Sequence, residues 1–197
     1  MSDPLFDADD DANTPITPEE REGLIPTYIT TRRELNEAEQ ININDGDRWA
    51  FARRGRDVLD EMFLQRLHKE MLGKVWRWAG RYRTTDRNIG VDRWQIEPEL
   101  RGLLNDVRFW IEHQTYSPDE ITVRFHHRLV SIHPFPNGNG RHARLAADLL
   151  ALQLGIPRFT WGSANLVEEA ETRRRYVIAL RAADVHDIEP LLTFARS

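Results

Sequence analysis

From residue 58 onward, apolar residues recur three and four apart along one segment after another, the spacing of amphipathic helices. Residues 58–72 carry Leu59, Met62, Phe63, Leu67 and Met71 on one face, a stripe that is core far more often than cofactor box. Leu100, Leu103, Leu104, Val107 and Ile111 predict a helix over 97–114. Ser117-Pro118-Asp119-Glu120 caps the next, which carries Phe125, Leu129 and Ile132 inward. A strongly helix-forming run from Arg141 stops at Leu154-Gly155-Ile156-Pro157, a Gly-then-Pro terminus. Residues 166–184, with Leu166, Tyr176, Val177 and Leu180 apolar, and 188–195 complete the set.

The first third is less regular. Residues 1–13, with Asp7, Asp9, Asp10 and Asp11, read as disordered or loosely docked. Thr17-Pro18-Glu19-Glu20 is a capping box with Pro at the first helical position, closed by Gly23. Thr31 and Glu34 form a second box, and Leu35, Ala38 and Ile41 continue a helix to about residue 44. Asp45-Gly46 predicts a break there, before another helix around Trp49. Residues 81–96 are too polar for a bundle helix; Thr, Ile and Val punctuated by Asp and Gly fit a β-hairpin or an ordinary surface loop. The expected architecture is all-α: a bundle of about seven or eight helices with one small β-hairpin, its axis a pair of helices joined through residues 133–144. Residues 1–54 are read as an N-terminal extension and 55–197 as the main domain.

Composition narrows the function classes. The chain has 40% apolar and 30% charged residues, as ordinary globular proteins do. No apolar run approaches the roughly 20 residues of a membrane span, and the acidic start is no signal peptide, so a cytoplasmic protein is expected. Without cysteine, disulfides and thiolate metal sites are excluded. A net charge of −5 speaks against direct nucleic-acid binding. Yet Arg124, His126, His127, Arg128, His133, Arg141, His142 and Arg144 form a basic centre within this acidic chain.

Its densest part is His133-Pro134-Phe135-Pro136-Asn137-Gly138-Asn139-Gly140-Arg141-His142-Ala143-Arg144. Pro134 and Pro136 force an extended or turned entry. Gly138 and Gly140 allow backbone angles closed to other residues. Free N–H groups at the following helix start, beside Arg141 and Arg144, make a phosphate site. His133 at its entrance can take a proton from a hydroxyl. Base, glycine turn, helix start and two arginines together describe phosphoryl or nucleotidyl transfer. His126, His127 and His133 could alternatively bind a metal, but adjacent helical residues point about 100° apart.

The twelve residues resemble the signature of the Fic (filamentation, or Doc) family, His-Pro-Phe-x-Asp/Glu-Gly-Asn-Gly-Arg-x-x-Arg, at every fixed position except one: Asn137 stands where the family usually has Asp or Glu. The resemblance, over residues 55–195, implies AMPylation, the transfer of AMP from ATP to a Ser, Thr or Tyr hydroxyl of a target protein. By it His133 is the base, Gly138, Asn139, Gly140 and Arg141 hold the α- and β-phosphates, and Arg144 holds the γ-phosphate. Phe135 wedges the loop into the core, and Mg²⁺ bridges the phosphates. Asn137 would offer that cation an amide oxygen without a charge, so weak metal dependence is expected. The resemblance also implies that the β-hairpin is a flap whose Ile89, Gly90 and Val91 dock the target by added-strand pairing. Trp161 and Tyr176 either wall the nucleotide or pack the core.

Many Fic proteins carry an inhibitory Ser/Thr-x-x-x-Glu-Gly/Asn motif. Thr30-x-x-x-Glu34 has the spacing but is followed by Leu35. Glu34 is therefore either an inhibitor that contacts Arg144 or the capping acid of its own helix. The opening Asp3-Pro4-Leu5, the segment from Ile29 to Glu37 and the run Arg175-Tyr176-Val177-Ile178-Ala179-Leu180 resemble the branch called mobile mystery protein B. That likeness implies a toxin–antitoxin-like setting with a helix-turn-helix partner, mobile mystery protein A. Two other readings stay open: a nucleotide-binding module without catalysis, favoured by Asn137, and a toxin component that binds a partner or a DNA complex.

Overall fold

The computed structural model describes residues 17–52, 55, 57–163 and 169–197. Among them are eight α-helices: α1 (Pro18–Arg21), α2 (Arg32–Ala52), α3 (Glu61–Leu72), α4 (Ile96–Glu112), α5 (Pro118–Ile132), α6 (Asn139–Gln153), α7 (Glu169–Asp184) and α8 (Glu189–Arg196). The predicted helix ends shift by a few residues. Asp60 caps α3 by accepting from the Met62 N–H at 2.9 Å, so the helix starts after residue 58. The predicted start of the 166–184 helix lies outside the described residues, as do residues 1–13.

The middle of the bundle is α6. Ala143, Ala146, Ala147 and Ala151 are all 0% exposed, and small side chains let neighbouring helices approach closely. α5 packs along it on one side and α3 on another; α2 lies along α3, α4 against α5, and α7 pairs with α8. Leu100, Leu103, Leu104 and Val107 of α4 are buried, as their spacing requires. Met62 and Ile41 depart from the expected stripes, being 76% and 65% exposed. No helix among the described residues is long and apolar enough to cross a membrane.

Two expectations are overturned. α2 runs unbroken through Asp45-Gly46. Gly46 is buried there because a Cβ on it would sit 2.7 Å from Met71 Cα of α3. Close helix packing outweighs glycine's poor propensity of about 1 kcal/mol. The β-hairpin flap is absent: residues 84–92 form bends and irregular backbone, and the β-bridge described in the chain, Leu24 with Trp76, lies elsewhere. The carbonyls of Thr85 and Val91, which a ladder would use, accept from the Arg83 guanidinium instead. The Arg83 and Val91 N–H groups bond to Pro134 and Ile132 of the α5–α6 corner.

The N-terminal segment is tied to the same region. Ile25 N–H donates to the Val75 carbonyl and Arg77 N–H to the Gly23 carbonyl, both at 2.8 Å. Glu20 closes the α1 capping box and also pairs with Arg87 of the 81–92 loop.

The Gly46 contact can be tested directly. Propensity alone makes Gly46→Ala stabilising, whereas the clash with Met71 backbone makes it destabilising by about 1–3 kcal/mol. Chemical denaturation of the two proteins decides the sign.

Candidate active site

α5 ends at His133, which adopts the left-handed conformation (φ 53°, ψ 58°). That is uncommon for a residue with a side chain, and it swings the chain out of the helix into the proline-rich corner. Phe135 then enters the core at 1% exposure and stacks on the His68 ring at 3.8 Å. Asn139, first residue of α6, closes the corner in both directions: its Oδ1 accepts from Phe135 N–H at 2.9 Å and its Nδ2 donates to the Phe135 carbonyl at 2.8 Å. Gly138 takes φ 77° and caps α6. Gly140 lies within the first helical turn, so only Gly138 uses glycine's positive φ.

His68 of α3 supports the corner from below. Its Nδ1 accepts from Gly80 N–H, so Nε2 carries the proton and donates to the Asn137 carbonyl, both at 2.9 Å. The Asn137 side-chain oxygen accepts from Gly138 N–H at 2.5 Å. It is thus folded onto its own loop.

His133 is 7% exposed. Burial, and then the positive charges of Arg83 and Arg87, push its pKa down to about 4. The imidazole is therefore neutral near pH 7 and able to accept a proton. Gly90, at φ 90°, approaches so closely that an added Cβ would lie 2.7 Å from His133 Cβ. Gly90 and Val91 thus stand at the His133 corner without forming a strand, and the neighbouring Ile89 is 45% exposed.

The two arginines of the motif diverge. Arg141 pairs through both terminal nitrogens with Glu39 Oε2 at 2.9 Å. Glu39 is only 6% exposed, and its other oxygen accepts from Trp76 Nε1 at 2.7 Å. Arg144 donates from Nε to the Gly140 carbonyl at 3.3 Å and lies over the Tyr176 ring at 5.4 Å. The Tyr176 hydroxyl bonds to His126 Nε2 at 3.0 Å. Trp161 packs behind on His126 and donates from Nε1 to the buried Asp148 at 3.0 Å. Tyr176 thus reaches the site, and Trp161 supports it from one layer back.

Glu34 lies elsewhere. Its carboxylate accepts from the N–H groups of Thr30 and Thr31 at 2.9 and 3.0 Å, at the start of α2. It serves its own helix start and not Arg144. His126 turns inward to Tyr176 while His127 bonds outward to Asp184. Among the described residues no group of three His, Cys, Asp or Glu side chains could hold a metal ion. The side-chain oxygen that the motif places at residue 137 is the neutral amide of Asn137.

Residues 58–151 match the model of the Fic/DOC family. The match runs from α3 into α6 and takes in the whole of the 133–144 motif. The chain is similar to protein adenylyltransferase fic-1 of Caenorhabditis elegans, with 32% identity over 133 residues covering 65% of this chain and 25% of that protein. It thus spans about a quarter of the length of the curated relatives it matches. A solved fragment of Fic-1 from C. elegans aligns with TM-score 0.66 and 24% identity, over 90% of this chain and 52% of that one. The N-terminal Fic domain of a VirB-translocated Bep effector protein from Bartonella quintana, solved with bound ADP, aligns with TM-score 0.69 and 19% identity over 86% of both chains. At these identities the structural likeness is one of fold.

Sequence reasoning missed several residues around the 133–144 motif. Glu39 follows Leu35 and precedes Asn42 and Gly46 on the buried face of α2. A carboxylate at that helical phase was the available signal. His68 was hidden in an apolar stripe, Arg83 in a polar run and Asp148 in a leucine-rich helix.

Four buried histidines surround this region. Burial is the leading cause that lowers the pKa of His68, of His126 to about 3, and of His133 and His142 to about 4. The unfolded chain titrates these groups near 6.5 and so binds more protons than the folded one below that pH. Their stabilising contribution is complete above pH 6.5 and is lost as pH falls towards 4. The melting temperature should drop by about 10 °C or more between pH 7 and pH 5. An unchanged melting temperature across that interval would refute the neutral assignment.

Proposed function

We propose that the protein transfers AMP from ATP to a hydroxyl side chain of a target protein. The observation that carries this reading is a neutral, buried imidazole, His133, at the mouth of an α-helix start that also carries Arg141 and Arg144. Supporting it are the adenylyltransferase name of the C. elegans relative and the ADP in the B. quintana Fic domain. The target oxygen attacks the α-phosphorus, its proton passes to His133, and the bond to the departing pyrophosphate breaks. Backbone N–H groups of Asn139 and Gly140 stabilise the phosphates at the positive end of α6, while Gly138 shapes the turn that leads into it. Arg141 and Arg144 supply the balancing charge, each charged hydrogen bond contributing about 1.5–3 kcal/mol. Mg²⁺ arrives bound to ATP as part of the substrate, with Asn137 offering at most a neutral oxygen. Ile89, Gly90 and Val91, beside the base, are the surface against which the target segment lies. Tyr176 borders the nucleotide beside Arg144.

A second reading, nucleotide binding without transfer, is favoured by Asn137, whose side-chain oxygen is already used by Gly138 N–H. Labelled ATP separates the two. Transfer of label to the protein or to lysate proteins supports the first, and binding without label supports the second. In His133→Ala, transfer should fall by about 10²–10⁴ while nucleotide affinity stays within a few-fold. Retained transfer in that variant removes His133 from the mechanism.

Self-inhibition fits Glu39 better than Glu34, because Glu39 occupies Arg141. Phosphate must displace this buried carboxylate before Arg141 can engage it. Glu39→Gln keeps an acceptor for Trp76 and removes the charge. Nucleotide affinity and self-labelling should both rise by roughly tenfold, the equivalent of about 1.4 kcal/mol. If both stay at the parent level in a folded variant, the pair does not restrain the site.

A further inference from the structure

Arg83 is a charged side chain fully shielded from solvent, and the nearest carboxylate oxygen, on Asp86, stands 3.9 Å away. An arginine is buried this way only when its donors are spent on good acceptors. Here they are spent on backbone. Nε donates to the His133 carbonyl at 2.8 Å, one terminal nitrogen to the Thr85 carbonyl at 2.9 Å, and the other to the Val91 carbonyl. The Arg83 N–H adds a bond to Pro134 O at 2.9 Å. One residue therefore grips both arms of the 83–92 loop and the corner that carries His133.

The grip falls where the backbone needs it. His133 is left-handed without being glycine, and its carbonyl direction is fixed by the bond from Arg83 Nε. Gly90 and Val91, on the far arm, touch the same corner through His133 Cβ and Ile132 O. We infer that Arg83 is a positioning residue that locks the His133 backbone and the Ile89–Val91 segment into one unit, so that the base and the target-facing loop keep a fixed relation. This rests on His133 being the base of the proposed transfer. Arg83 itself contacts neither the phosphate-binding helix start nor the reacting hydroxyl. Lysine cannot replace it, since a single ammonium has no planar fork to span three carbonyls.

The test compares the full chain with Arg83→Gln and Arg83→Lys by hydrogen exchange, ATP binding and self-labelling with labelled ATP. Exchange should accelerate together in residues 83–92 and 130–135 in both variants, while α6 stays protected. ATP affinity should stay within about threefold, and the labelling rate should fall at least thirtyfold, with Arg83→Lys recovering less than threefold of the loss. Faster exchange in only one of the two segments, or full recovery by Arg83→Lys, overturns the inference, as does a labelling loss that merely tracks ATP affinity. If Arg83→Gln does not fold, the Arg83→Lys exchange pattern decides alone. A parent protein that binds ATP without self-labelling counts against the proposed transfer, and the exchange experiment still reads the coupling.

Discussion

The connection between α5 and α6 contains two prolines and cannot satisfy its own backbone. Buried carbonyls need donors, and here each donor comes from outside the connection. The His133 carbonyl takes the Arg83 side chain, Pro134 the Arg83 N–H, Phe135 the Asn139 amide and Asn137 the His68 ring. Loop, α3 and α6 are thereby required to meet at one place. The start of α6 and the His133 imidazole are held by this set of hydrogen bonds, and Phe135 anchors the whole in the apolar core.

The same arrangement explains why so many polar groups are buried in a bundle of ordinary apolar content. Glu39, Asp148, Arg83 and the histidines lie within or next to the motif, and the first three spend their polar atoms on defined neighbours. Asp148 collects Trp161 Nε1, Phe159 N–H and Arg158, which fixes the segment after α6. Its pKa is raised by burial despite these donors. An apolar core could have been more stable, but it could not have specified where the imidazole and the two guanidiniums point.

The helical stripes and caps were legible in the sequence because they depend on local spacing. The Ser117 cap, the Gly138 turn and the stripe of α4 need only neighbours in the chain. The continuity of α2 was not legible, since it depends on Met71 lying against Gly46, which no local pattern reports. The expected hairpin failed for a related reason. Thr, Ile and Val predict a ladder only while their carbonyls are available, and the Arg83 side chain takes two of them. In the motif itself, the residue types were readable but their pairing was not. Arg141 meets a carboxylate 102 positions away, and Glu34, the nearer fit to a known pattern, stays with its own cap.

Two of the long ion pairs also have a direction in time. Glu20 reaches Arg87 across 67 positions and Glu39 reaches Arg141 across 102. In both, the acid precedes the base in the chain. Synthesis proceeds from the N-terminus, so each arginine leaves the ribosome into a chain that already carries its carboxylate. Both pairs can therefore form as soon as the arginine segment folds against a chain that is already made, without waiting for later residues.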